Sequence, residues 1–261
     1  MPGYRSDFDD LDLDAKIDVL AEKLANAKQI AFLTGAGVST ESGIPDFRST
    51  TGIYSTTSEN FFSIDYFHAN YEDFYRGFAP FYRIVSDAKP NSGHLAIAEL
   101  ETRLGKPVDV VTQNIDGLHS AAGSTQVAEI HGTLRTASCV VCGKQYPREY
   151  FDADMRSGAV PRCACGGALK PDVTFFGELL PERAFAAAQR AMWNAKILVV
   201  VGTSLQVYPA AGLPRECDAG APFVVINKTP TQLDSQASLV FHEAIGDVLP
   251  KAVARISNTT A

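Results

Sequence analysis

The sequence has no apolar run near the ~20 residues that a membrane-spanning helix needs. It also has no excess of positive charge. Lys and Arg number 23 against 30 Asp and Glu, a net charge of −7. That balance lacks the basic patch by which nucleic acid is held, so neither a nucleic-acid nor a membrane partner is expected. A basic protein tail is compatible with it. The opening stretch MPGYRSDFDDLDLDAKID holds no apolar segment. It predicts neither a signal nor a transit peptide, and hence a cytosolic, cytoplasmic protein. Cysteine is scarce, with five in 261 residues, and four of the five are paired closely in sequence. In a reducing compartment such pairs favour metal over disulfide. No internal repeat and no low-complexity segment stands out.

What is present suits a globular enzyme. Hydrophobic residues make up 46% and charged residues 20%, enough for a sizeable core in one large domain or a large one carrying a small one. Leu13, Ile17, Leu20 and Leu24 follow a helical period over 13–27. Residues 30–33 read as a short, fully apolar strand. Residues 35–65 read as a long loop, and loops of that length are usually functional. From 66 to 88 Phe and Tyr recur at helical spacing, with Pro80 expected to kink or split the helix. This aromatic stretch reads as core packing, or as an apolar lid or acyl channel. Asn91 or Ser92 can cap a helix that Gly105 ends. Strands follow at 108–112, 197–201 and 223–226, and Pro181 opens a helix through Asn194. Strand, polar strand end, helix is the repeating order. It predicts an α/β, doubly wound parallel sheet with ligands at the strand C-termini. The cysteine segment reads as an insertion into it.

The first strand ends in Thr34-Gly35-Ala36-Gly37. Glycines there free backbone N–H groups to approach a pyrophosphate. The usual dinucleotide fingerprint wants a third glycine where this chain has Thr40. Just beyond, Phe47 could cover a flat ring, Arg48 could pair with a phosphate, and Asp46 could accept from a carboxamide. A plain turn with Phe47 in the core and Arg48 in a salt bridge reads the same residues equally well. Gln113, Asn114, Ile115 and Asp116 follow a buried strand and can line a site or form an Asx turn. His131, in Glu-Ile-His-Gly, is the candidate proton acceptor. His68, His94, His119 and His242 take the structural reading.

Cys139-x2-Cys142 is followed, twenty residues on, by Cys163-x-Cys165-Gly166-Gly167. Four thiolates can enclose a tetrahedral zinc, and a site closed by four sulfurs is structural. Cys217 stands apart and reads as a core residue.

Taken in order, GAGVSTESGIPDFR, TQNIDGLH, EIHG, the cysteine pairs, PDVTFFGE, GTSLQVYPAA and INK resemble the sirtuins. These are NAD-dependent protein lysine deacylases. The match spans about residues 15 to 250, and the short N-terminus looks like that of bacterial members. The resemblance implies a Rossmann-like part over about 12–60, 90–135 and 170–255. It implies a small part comprising a zinc module over about 136–169 and a helical segment over about 61–89. NAD would meet Gly35, Ala36, Gly37, Thr40, Asp46, Phe47, Arg48, Gln113, Asn114, Ile115, Asp116, His131, Gly202, Thr203, Ser204, Asn227 and Lys228. Asp46, Phe47, Ile115 and Asp116 would form the nicotinamide pocket. His131 would be the catalytic base, with Asn114 beside it. Val173, Phe175, Phe176 and Gly177 would pair with the backbone of an acylated-lysine protein or peptide substrate. Cys139, Cys142, Cys163 and Cys165 would hold structural Zn2+.

The implied reaction transfers the acyl group from lysine to the ribose of NAD, releasing nicotinamide and O-acyl-ADP-ribose. The sequence departs from the family's usual pattern at Cys163-Ala164-Cys165, one residue short. Members that prefer acidic acyl groups carry Tyr-x-x-Arg after the loop. Here Asp73 precedes Arg76 and Pro80 precedes Arg83, so a neutral acyl group, acetyl or longer, is expected. The alternative activity is protein mono-ADP-ribosylation, which breaks the same nicotinamide bond. A non-catalytic NAD-responsive binder would have no use for His131. A dehydrogenase would show the full glycine fingerprint.

Overall fold

Runs of Val, Ile and Leu too uniform to face water anywhere must be covered on both sides, and helices do the covering. The computed structural model describes residue 8, residues 10–218 and residues 220–257. The reading of the N-terminus as free of a targeting segment rests partly on residues 1–7, outside the described residues. Along the chain come α1 (Leu13–Asn26), β1 (Ile30–Thr34), α2 (Ile64–Ala69), α3 (Tyr71–Asp87), α4 (Ser92–Leu104) and β2 (Asp109–Thr112). Then follow α5 (Leu118–Ala122), β3 (Gln126–Glu129), β4 (Gly132–Cys139), β5 (Gln145–Pro147), α6 (Arg148–Ser157) and β6 (Leu169–Val173). The chain closes with α7 (Glu182–Asn194), β7 (Ile197–Val201), β8 (Phe223–Ile226), β9 (Leu239–Phe241) and α8 (Ile245–Arg255). Among the described residues no helix is long and apolar enough to cross a membrane.

Six strands form a parallel sheet in the order β3-β2-β1-β7-β8-β9. Numbered within this sheet alone the order is 3-2-1-4-5-6, the doubly wound arrangement with its switch point between β1 and β7. Alternate side chains feed opposite faces. Phe32, Val199 and Val201 enter a core with α1, α4 and α8, while Leu33, Leu198 and Val200 enter one with α7. Each such buried side chain contributes about 1.5–3 kcal/mol.

A three-stranded antiparallel sheet, β5-β4-β6, carries its own core with α2, α3 and α6. Two expectations are corrected here. Residues 35–65 are not structureless: 3-10 turns occupy Ala36–Ser42, Ile53–Ser55 and Glu59–Phe62. Helix α3 runs through Pro80 unbroken, and the interruption in the aromatic stretch falls at Asn70 (φ −145°, ψ 60°). Phe74, Tyr75 and Phe78 before the proline and Tyr82 and Val85 after it are buried in one cluster. That continuous apolar face offsets the hydrogen bond that proline forfeits. Gly105 ends α4 in the left-handed region at φ 60°, as its position predicts.

Candidate active site

The cleft opens at the C-terminal ends of β1 and β7, which stay paired through Thr34 and Val201. The backbone N–H of Gly35 donates to Val201 O (3.1 Å) and that of Gly37 to Gly202 O (2.8 Å). A Cβ on Gly37 would lie 2.8 Å from Gly202 Cα, and Gly202 itself sits at φ +58°. These glycines allow two strand ends to touch, which any side chain would wedge apart.

Beyond them the chain lines a cleft of about 1250 Å3. All the residues singled out for NAD lie on its wall: Gly35, Ala36, Gly37, Thr40, Asp46, Phe47, Arg48, Gln113, Asn114, Ile115, Asp116, His131, Gly202, Thr203, Ser204, Asn227 and Lys228. So do Val173, Phe175, Phe176 and Gly177. Phe47 joins an aromatic group, its ring 5.4 Å from Tyr54, 6.2 Å from Phe62 and 6.3 Å from Phe81. Arg48 pairs with Glu59 at 3.5 Å and lies over the Tyr54 ring at 5.3 Å. Asp46 accepts the Ser49 N–H at 2.9 Å.

Hydrogen bonds fix the polar strand ends. Gln113 Nε2 donates to Thr203 Oγ1 at 2.9 Å, joining the ends of β2 and β7. Ser39 donates to Asp116 Oδ2 at 2.7 Å and accepts from Asn114 Nδ2 at 3.0 Å. Leu118 N–H donates to Asp116 Oδ1 at 2.8 Å, so both carboxylate oxygens are held. Asn227 Nδ2 donates to Thr229 O at 2.6 Å.

His131 follows β3. Its Nδ1 lies 2.9 Å from Gln113 O. A carbonyl can only accept, so Nδ1 carries the proton and Nε2 offers its lone pair. Burial holds this imidazole below the usual histidine range, and the Gln113 carbonyl draws it partly back. The ring is therefore neutral, and basic at Nε2, at pH 7. His94 and His119 are fully buried, and burial pushes them down to about 4 and about 3. His94 completes the cap of α4 and His119 meets Thr34 Oγ1 at 2.9 Å. His68 meets Tyr71, and His242 donates to Asn227 O.

Segment 173–177 forms the opposite wall. Thr174 N–H donates to His131 O at 2.9 Å. Phe176 pairs in both directions with the 62–64 segment, donating to Phe62 O (2.9 Å) and accepting from Ile64 N (3.0 Å). Its backbone is thereby engaged, while the residue as a whole remains 41% exposed.

The four sulfurs of Cys139, Cys142, Cys163 and Cys165 lie within 4.8 Å of one another. Contacts of 3.5 Å (Cys139 to Cys165) and 3.6 Å (Cys142 to both Cys163 and Cys165) are near the ~3.8 Å edge of a tetrahedron with zinc–sulfur bonds of about 2.3 Å. The donor set fits zinc despite the shortened second pair. Gly167 makes room, since a Cβ there would lie 2.7 Å from Cys139 Sγ. Tyr146 OH reaches Cys163 Sγ at 3.1 Å. Cys217 sits half-buried beside Met192, its sulfur 3.8 Å away.

The model of the Sir2 family matches residues 35–209. The chain belongs to the Sir2 family. An NAD-dependent protein deacetylase of Clostridium perfringens is 43% identical, over 92% of this chain and all of that protein. Another from Chromobacterium violaceum is 44% identical, over 90% of this chain and 96% of its own length. The solved structure of a Sir2 protein with p53 peptide and NAD superposes with a TM-score of 0.82. It is 36% identical and covers 91% of this chain and 97% of that one.

Sequence reasoning passed over several wall residues. Ser39 organises Asn114 and Asp116, yet a lone serine carries no spacing signal. Tyr54 and Phe62 line the cleft from the 35–65 loop, where no aromatic period marks them, and Phe78 and Phe81 join them from the aromatic stretch, which builds a core and a wall together. Thr174 lies among four singled-out neighbours.

Proposed function

We propose that this chain removes acetyl and other neutral acyl groups from protein lysines, consuming NAD and giving nicotinamide, free lysine and O-acyl-ADP-ribose. The observation that carries the reading is His131: a neutral imidazole, its Nδ1 committed to Gln113 O, set in the same cleft as the glycine turn. When bound, NAD supplies the nicotinamide–ribose bond that breaks and the ribose that takes up the acyl group.

The chain's own residues supply the rest. The large part, about 12–60, 90–135 and 170–255, would hold the dinucleotide. The small part, about 136–169 with 61–89, would close over the substrate. Gly35, Ala36, Gly37, Thr40, Arg48, Gln113, Gly202, Thr203, Ser204, Asn227 and Lys228 would bind its phosphates and sugars. Asp46, Phe47, Ile115 and Asp116 would orient the nicotinamide ring, with Phe47 and its aromatic neighbours keeping water from the sugar face. Asn114, fixed by Ser39, would orient the reacting ribose. His131 Nε2 would take a proton from a ribose hydroxyl. Val173, Phe175, Phe176 and Gly177 would receive the substrate backbone as an added strand. Phe176 would do so through its ring, since its N–H and C=O are already paired, and those of Phe175 are likewise taken by Glu178. Among the described cleft residues the cations are Arg48 and Lys228, and Arg48 is paired with Glu59. Arg76 and Arg83 lie outside the cleft, so an acidic acyl group finds no partner from them.

The test is mass spectrometry of the chain with NAD and an acetyl-lysine peptide. Equal amounts of nicotinamide, free-lysine peptide and O-acetyl-ADP-ribose are expected, and His131→Ala should cut turnover by about 10²–10⁴-fold. A peptide gaining the mass of ADP-ribose would instead establish the transferase reading.

A further inference from the structure

Lys170 is a cation where none is needed for the proposed chemistry. It lies in β6, antiparallel to β4 and opposite Ser138. Its side chain is only 15% exposed. An ammonium has three donors, and three oxygens take them. Glu178 Oε2 lies at 2.8 Å, Val173 O at 2.7 Å and Pro171 O at 3.3 Å. The ring of Phe175 covers the same ammonium, its centroid 4.4 Å away.

Glu178 closes the device. Its Oε2 also accepts the Phe175 N–H at 2.8 Å, and its own N–H donates to Phe175 O at 3.0 Å. One carboxylate thus locks a four-residue turn, and one ammonium locks that carboxylate. The turn passes through Gly177 at φ +93°, where a Cβ would stand 3.1 Å from Ile64 Cγ2. Every partner of the Lys170 ammonium belongs to residues 171–178, the segment that runs into the cleft wall. A buried charge left without its partner is strongly unfavourable, so neither half of this pair is neutral to the other.

We propose that Lys170 and Glu178 are positioning residues that hold the 173–177 segment in the shape that receives the acyl-lysine peptide. The inference rests on the deacylase reading for the identity of the ligand. Lys170 touches no reacting atom. It sets the path of the backbone between Val173 and Glu178, so its loss is felt in peptide affinity before cofactor affinity.

The experiment is binding, which does not depend on turnover. A fluorescent acetyl-lysine peptide is titrated by anisotropy, and ADP-ribose by calorimetry, against wild type, Lys170→Met, Lys170→Arg and Glu178→Gln. Lys170→Met keeps an apolar stem of similar length, and Glu178→Gln leaves Lys170 its two carbonyls. Both are expected to weaken peptide binding by about tenfold and to leave ADP-ribose affinity within about twofold. Lys170→Arg is expected to recover most of the affinity, and the double variant Lys170→Met, Glu178→Gln to be no weaker than either single one. Wild-type peptide affinity in both single variants overturns the proposal. So does a loss of ADP-ribose affinity in step with that of the peptide, which marks general loss of fold. Wild type that binds the peptide yet releases no nicotinamide from NAD refutes the deacylase reading and leaves this one standing.

Discussion

A histidine that works as a base must be unprotonated, and His131 is kept so by its surroundings. Burial favours the neutral ring and lowers its pKa, while the bond to Gln113 O opposes this in part. A lowered pKa means that the base form survives to lower pH. The acid limb of kcat/KM is therefore expected to fall as pH drops, with a midpoint below the ordinary 6.5 of histidine. Initial rates with saturating NAD and subsaturating peptide from pH 5 to 8 would show it. A midpoint above 7 would mean that some other group carries the proton. His131 was legible in the sequence because Gly132 follows it and the first cysteine pair begins soon after. The tautomer was not, since Gln113 is eighteen residues away and only the fold brings its carbonyl to Nδ1. Ser39 was illegible for the same reason: its partners lie 75 and 77 positions on.

Elements whose signal is local were readable, and those that depend on partners were not. Strands β7 and β8 could be read to the residue because uniform apolar runs admit no other placement. Strand β5 has three residues and β9 three, too few to show a period. Helix α3 shows the reverse failure. The local rule for Pro80 was overridden by aromatic packing on both sides of it. Helix α4 is where an element and the cleft meet. Asn91 Oδ1 accepts from Gly93 N and His94 N, and its Nδ2 donates to Val38 O (2.8 Å) and Ser42 Oγ (3.0 Å). One side chain caps the helix and ties down the turn that follows Gly37. Asn91→Ala is expected to cost about 1–2 kcal/mol by denaturant unfolding, the range for a lost cap. It should also weaken ADP-ribose several-fold, whereas a cap that acted on the helix alone would leave that affinity untouched.

At the scale of the molecule, the cysteine cluster and the cleft are two ends of one small sheet. Strand β4 begins at Gly132, next to His131, and ends at Cys139, a ligand of the cluster. The register shifts between Gly132 and Ala137, so β4 bulges and its ends are set by the four steps of β6 opposite, about 3.3 Å each or roughly 13 Å. Strand β6 returns from Leu169, paired with Cys139, to Val173, paired with Gly132. The zinc that the four sulfurs fit would thus clamp the far end of the sheet whose near end lines the cleft. The free energy of a structural zinc site is folding free energy for the part that holds it. Chelation should release one zinc per chain by elemental analysis and abolish acetyl-peptide binding, because β6 leads at Val173 into the 173–177 wall. The six-stranded sheet has separate cores on its two faces, so ADP-ribose affinity should fall far less and most far-UV dichroism should persist. Calorimetry of the stripped chain should then show the antiparallel sheet and its aromatic core melting before the parallel one. A zinc-free chain that still bound acetyl-peptide at wild-type affinity would show that packing among α3, α6 and the antiparallel strands supports the cleft without metal.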